Sequence, residues 1–189
     1  MPPIEITAPF GDDTVLSLKA GDRVLISGTV YTARDAAHKR MVEEWRETGK
    51  LPVDLQGQII YYVGPTPAKP HQAIGSAGPT TSGRMDSYTP LLLELGLKGM
   101  IGKGYRNEEV RKAIMKHRAV YFGAIGGSGA LIARTIKKVE TVAYDDLGTE
   151  AIRRLTIERF PAVVVNDVHG NDWYRQSAEL YRVQDNKEG

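Results

Sequence analysis

The chain has 189 residues, of which 41% are hydrophobic and 25% charged, the make-up of one globular domain with a proper core. Its net charge of +2 gives no electrostatic case for nucleic acid or an acidic membrane surface, and no stretch approaches the ~20 apolar residues of a membrane span. It has no cysteine, which excludes disulfides, a thiolate nucleophile and thiolate ligation of a metal by this chain.

The opening MPPIEITAPFGDD lacks the basic start and apolar run of a secretory signal, so the expected location is cytoplasmic. The first thirty residues read as strands. Residues 15–18 alternate, residues 20–22 form a turn, and residues 23–32 are β-rich with Val24, Ile26 and Val30 on one face. A helix is predicted over 34–48, with Ala37, Met41 and Trp45 as its buried stripe; Gly49 ends it and Pro52 prevents its return. Residues 58–63 predict a short apolar strand, and 64–78 a Pro/Gly-rich loop. A short helix at 90–95 and a brief strand at 99–102 follow. Asn107 caps a helix running through His117, with Val110, Ile114 and Met115 inward.

Residues 119–125 predict an apolar strand, after which Gly126 to Gly129 open a helix over 130–136. A strand at 139–143, a helix at 150–155 and a buried strand at 161–165 come next. The run NDVHGNDWYR reads as a polar turn between two strands, with Trp173 and Tyr174 returning to the core. The tail from Asp185 is polar. Nothing repeats and no linker splits the chain, so residues 1–189 read as a single α/β domain with a mixed sheet.

The chemistry concentrates in GPTTSGRMDSYTP, residues 78–90. Two threonines, a serine, an arginine and an aspartate cannot bury much apolar surface. They can surround a small anion, because a bidentate guanidinium and hydroxyl donors are what a carboxylate needs. The plainer alternative is a polar turn capping a helix at Thr89-Pro90. Arg34-Asp35 stands where a strand hands over to a helix: Asp35 suits a cap and Arg34 a surface charge, or the pair lies at a common ligand position. Lys103 lies between Gly102 and Gly104, which let backbone approach a ligand closely, although a lone loop lysine is more often a solvated charge. The GGSG at 126–129 is a weak anion-binding signal without GxGxxG or a P-loop lysine, and close helix–strand packing explains it better. His38, His71, His117 and His169 lack metal-ligand spacing, and Asp167 to Asp172 lack the oxygen positions of a calcium loop, so no metal site is expected from this chain.

GPTTSGRMDSYTP followed by GMIGKG resembles the β subunit, or C-terminal domain, of class I iron–sulfur fumarases and the related L-tartrate dehydratases. LKAGDRVLISGTVYTARDAAHKR, YFGAIGGSGAL and FPAVVVNDVHGNDWY fit the same family, in family order, over nearly the whole chain. The resemblance implies a swivelling β/β/α domain. It implies that Arg34 and Arg84 bind substrate carboxylates, that Thr81 lies in the substrate site and that Lys103 contacts substrate. Thr80 matches the residue proposed to take the proton. A threonine hydroxyl is a poor base unless nearby cations such as Arg84 and Lys103 stabilise its alkoxide, so Asp35 is the rival for proton transfer, placed second. The resemblance also implies a [4Fe–4S] cluster held by three cysteines of a separate α subunit and not by this chain. The implied partners are that α subunit, in a heterotetramer, and a small dicarboxylate: fumarate, with L-tartrate or mesaconate as alternatives. The isolated chain is expected to be inactive, and a homodimer is an option for it. A stand-alone anion- or nucleotide-binding module is the reading from a different class.

Overall fold

A computed structural model of the chain describes residues 2–68, 70–124 and 129–185. The alternation of Val24, Ile26 and Val30 produces β2 (Arg23–Thr32), with those three side chains buried. One edge of β2 pairs with β7 (Ile152–Asn166), antiparallel. Its other edge pairs in parallel with β1 (Ile4–Ala8) and then, at its end, with β3 (Ile59–Tyr61). Parallel pairing continues from β3 to β4 (Gly99–Gly102) and β5 (Val120–Ala124). β5 then meets β7 antiparallel, and β6 (Ile136–Ala143) lies on the other half of that edge. The order is β1-β2-β3-β4-β5-β7-β6, and the β2–β7 pairing closes β2, β3, β4, β5 and β7 into a ring.

Period-two alternation divides the strand side chains between two cores. Tyr61, Ile101, Phe122, Phe160 and Val164 pack together on the inner side, where the Tyr61 and Phe160 rings meet edge to face at 5.2 Å. Ile60, Tyr62, Met100 and Tyr121 face outward against three helices: α2 (Asp35–Thr48), α3 (Thr89–Glu94) and α4 (Glu108–His117). α2 ends at Gly49 in the left-handed conformation, φ 68°, and Asn107 caps α4 by accepting the Val110 N–H at 2.8 Å, both as predicted. The remaining helices are α1 (Asp12–Ser17), α5 (Gly129–Thr135) and α6 (Trp173–Asp185).

Several expectations are corrected. Residues 12–17 form α1, not a strand: Val15 and Leu18, three apart, are buried, while Leu16 is exposed. Residues 152–155 belong to β7, not to a helix. Ile152 packs in the outer core and Leu155 in the inner one, so a strand buried on both faces imitates helical spacing. On α4 the buried positions are Val110, Ala113 and Ile114, and Met115 is exposed over Gly170. On α2, Val42 and His38 are buried and Trp45 only half-buried. The 167–172 turn joins a strand to α6. Asp167 closes it by accepting the N–H groups of Ala20, His169 and Asn171, and half-buried Trp173 lies against Gly21. Of the predicted GGSG turn, residues 126–128 lie outside the described residues, as do Ile125 and residues 186–189.

Candidate functional site

β2, β3 and β4 run parallel with Thr32, Tyr61 and Ile101 in register, so the chain leaves all three at one edge of the sheet. Ligand sites in α/β folds, closed barrels and open sheets alike, lie at the carboxyl ends of parallel strands. From β2 the chain passes through Ala33 to Arg34, the N-cap position of α2, followed by Asp35 in its first turn. From β3 it reaches Gly64. From β4 it reaches Lys103.

The Thr-rich segment docks on this edge through its backbone. The Thr80 N–H donates to the Tyr62 carbonyl at 2.7 Å, the Lys103 N–H to the Thr80 carbonyl at 3.3 Å, and the Ser82 N–H to the Lys103 carbonyl at 2.8 Å. Thr81 and Lys103 form an isolated parallel bridge. A 3₁₀ turn, Ser82–Met85, then carries Arg84 back to Asp35, and the two pair through Nη2 and Oδ2. Arg34 lies across Gly64, where a Cβ would come within 2.6 Å of Nη1, and its Nε stands 3.2 Å from Glu150 Oε1. The structure therefore brings Arg34, Asp35 and Arg84 together, and Thr80, Thr81 and Lys103 together, on the same edge. Arg34, Asp35 and Thr80 are half-buried; Thr81, Arg84 and Lys103 are exposed.

A buried polar network lies behind these residues. The Ser82 hydroxyl donates to the Tyr121 hydroxyl at 2.8 Å, and Tyr121 donates to the Gly104 carbonyl at 2.9 Å, tying the Thr-rich turn to the Lys103 turn. Arg106, wholly buried, donates from Nε to Asp86 at 2.7 Å, from Nη2 to Thr89 at 2.7 Å and from Nη1 to Tyr62 at 3.2 Å. Asp86 also accepts the Asn107 N–H at 2.8 Å. Gly102 is needed here for space: a Cβ would sit 2.0 Å from Ser82 Oγ and 2.9 Å from Tyr62 Cδ2. Gly104 has φ +83°, which favours glycine. The glycines flanking Lys103 thus permit close approach, at Gly102 to the Thr-rich turn itself.

Sequence reasoning missed the buried roles of Arg106, Asp86, Tyr121 and His38. The first three have no periodic signal, because their partners are 17 to 44 residues distant. His38 carries a weak one, lying one helical turn beyond Arg34. Its Nδ1–H donates to the Arg34 carbonyl at 2.8 Å, the tautomer a carbonyl acceptor requires. Its ring stands edge-on to Tyr62 at 5.3 Å, and burial pushes its pKa down to about 4 despite the Arg34 bond, which acts the other way. Arg34 Nε, Asp35 Oδ1 and His38 Nε2 are buried atoms without a hydrogen bond among the described residues. Buried polar atoms are normally satisfied, and three of the six exceptions among the described residues cluster at the start of α2.

No group of three or more His, Cys, Asp or Glu side chains among the described residues is placed to hold a metal ion. With no cysteine in the chain, the residues present do not fit an iron–sulfur cluster. No described helix is long and apolar enough to cross a membrane. A separate cavity of about 480 Å³ lies between residues 66–67 and 71–76 on one side and α5 on the other, and none of the predicted site residues line it.

Residues 3–177 match the family described as Fumarase C-terminus. The aerobic class I fumarate hydratase of Salmonella typhimurium is 41% identical over 156 residues, 82% of this chain and 28% of that protein. A putative class I fumarate hydratase of Geobacillus stearothermophilus is 36% identical over an alignment of 192 residues, 98% of this chain and 36% of that protein. A putative L(+)-tartrate dehydratase subunit beta of Methanocaldococcus jannaschii is 39% identical over 168 residues, 86% of each chain. The chain thus spans about a third or less of these fumarate hydratases and most of the tartrate dehydratase subunit. By the extent of these matches, the chain belongs to the Fumarase C-terminus family.

Proposed function

We propose that the chain is the β component of a two-part hydro-lyase that adds water to fumarate, giving S-malate. The observation that carries the reading is the gathering of two arginines, a lysine and a threonine pair on one strand edge. That is half of a dicarboxylate site. The other half, including the [4Fe–4S] cluster, is assigned to an α-type partner, in keeping with the absence of cysteine here.

Within this half, Arg34 and Arg84 clamp the two carboxylates. Thr80 exchanges the proton on the carbon next to one carboxylate, with Arg84 and Lys103 supplying the positive field its hydroxyl needs. Lys103 also offsets the charge that gathers on the enolate-like carboxylate as that proton leaves. Asp35, engaged by Arg84, is placed second for proton transfer. L-Tartrate is the alternative substrate, supported by the extent of the match to the archaeal subunit; mesaconate differs from fumarate by one methyl group, a difference pocket residues of either component can read.

The test is to purify the tagged chain from its own cells without oxygen and assay malate formation from fumarate, with tartrate in parallel. Hydration that disappears in air, together with a co-purifying chain, supports the reading and chooses the substrate. Activity of the metal-free isolated chain defeats it. No activity on either substrate and no co-purifying chain favours a stand-alone anion-binding module.

A further inference from the structure

The two candidate carboxylate-binding arginines each already meet a carboxylate of this chain, but at different atoms. Asp35 pairs with Arg84 at the terminal Nη2, a position a bidentate ligand needs. Glu150 stands beside Arg34 Nε, 3.2 Å away, on the flank of the guanidinium. The Nε–H does not aim squarely at the oxygen, so this is a charge pairing and not a hydrogen bond. Gly64 lies against Nη1 and would collide with it if it carried a Cβ. Flank and one side are therefore occupied, while neither Nη makes a hydrogen bond among the described residues and the side chain keeps 23% exposure.

The segment that carries Glu150 is held in place. It is a 3₁₀ stretch, Asp145–Glu150, entered through left-handed Tyr144 and bent at Gly148. Arg40 grips Asp146 with two 2.8 Å bonds and lies over the Tyr144 ring. The Tyr144 hydroxyl donates to Glu44 at 2.6 Å, and Arg153 donates to the carbonyls of Gly148 and Thr149 at 2.7 and 3.2 Å. Arg40 and Glu44 belong to α2, the helix that Arg34 caps. The middle of α2 thus fixes a segment whose last residue returns to the start of the same helix.

We infer that Glu150 is a positioning residue for Arg34, holding its guanidinium by the Nε flank so that the Nη fork faces a ligand carboxylate. The inference rests on the dicarboxylate reading above. It makes a prediction opposite to simple electrostatics. Deleting a negative charge beside an anion site should tighten anion binding, whereas loosening a pre-oriented arginine should weaken it.

The experiment is an NMR titration of the 189-residue chain and its Glu150→Gln variant with succinate, following arginine Nε–Hε signals. Arg34 is identified as the signal that Arg34→Lys removes, and unchanged thermal melting confirms that Glu150→Gln folds. The variant should lower the Arg34 Nε–Hε heteronuclear NOE and raise the succinate Kd by about fivefold or more. Glu150→Asp, which keeps the charge, should lie between the two. An unchanged NOE, or succinate bound equally well or more tightly by Glu150→Gln, overturns the inference alone. Wild-type protein whose Arg34 and Arg84 signals do not respond to succinate overturns the dicarboxylate reading, and the inference with it.

Discussion

His38 should make the stability of this protein depend on pH in the weakly acidic range. Its imidazole is fully buried on α2, donates to the Arg34 carbonyl and leaves Nε2 without a partner among the described residues. Desolvation lowers its pKa from the ordinary 6.5 to about 4, and the bond to Arg34 offsets only part of that. In the unfolded chain the ring takes up a proton near the ordinary value. Between the two values the unfolded state holds a proton that the folded state does not, so stability is full above about 6.5 and is lost as the pH falls toward 4. That separation corresponds to about 3 kcal/mol, a large share of the roughly 5–15 kcal/mol that holds a domain folded. The measurement is urea unfolding of wild type and His38→Gln at several pH values across this window. Other acidic groups titrate in both proteins, so the difference between the two curves isolates His38. Wild type should lose about 3 kcal/mol more than the variant between about pH 7 and pH 4. Parallel curves would refute the assignment of a neutral, desolvated imidazole at this position.

Three further outcomes follow from the site. Arg106→Met leaves Asp86 buried without its guanidinium and should cost about 3–5 kcal/mol in denaturant unfolding; in a double-mutant cycle with Asp86→Asn the two losses should fall well short of adding. Tyr121→Phe breaks the Ser82–Tyr121–Gly104 relay and should cost about 1–3 kcal/mol by the same assay, while weakening dicarboxylate binding more than a change in melting temperature explains. Gly64→Ala puts a Cβ into the Arg34 guanidinium; because the far end of a flexible side chain can move, the melting temperature should change little while succinate binding, read by titration, should fall about tenfold or more.

How much of this was legible in the sequence depended on how local each signal was. β2, α2, β4 and α4 were readable because their periodicity, the Asn107 cap and the Gly49 stop lie within the elements themselves. β7 was read as a helix in its first part because Ile152 and Leu155 serve different cores, and only the pairing of β7 with both β2 and β6 reveals why both faces are buried. The Thr-rich motif and Lys103 were visible as composition, and the backbone bridge that joins them was not. Arg106 gave no signal in the sequence, since its partners Asp86, Thr89 and Tyr62 converge only in the folded chain. Glu150 was hidden for the same reason, being 116 positions beyond Arg34.

Two ion pairs in the same turn of chain differ in permanence. Arg106 and Asp86 are buried, and the guanidinium also lies over the Tyr62 and Tyr121 rings, 5.4 and 5.1 Å from their centres. Breaking that pair exposes an uncompensated charge to a low-dielectric interior, so it stays closed and fixes the backbone of the Thr-rich turn. Its charge is matched by Asp86 and adds little to the field at the open edge. Arg84 and Asp35, two residues before Asp86 and at the head of α2, have side chains 51% and 30% exposed. A pair that open contributes about 0–1 kcal/mol, so an incoming carboxylate can take the place of Asp35 at little cost. On the proposed dicarboxylate reading, the displaced Asp35 carboxylate would lie beside the ligand, where it could enter proton transfer. Replacing Asp35 with Asn separates the two roles: if Asp35 only holds Arg84, succinate binding should strengthen and turnover with the partner should survive, whereas a proton carrier should lose turnover while succinate still binds.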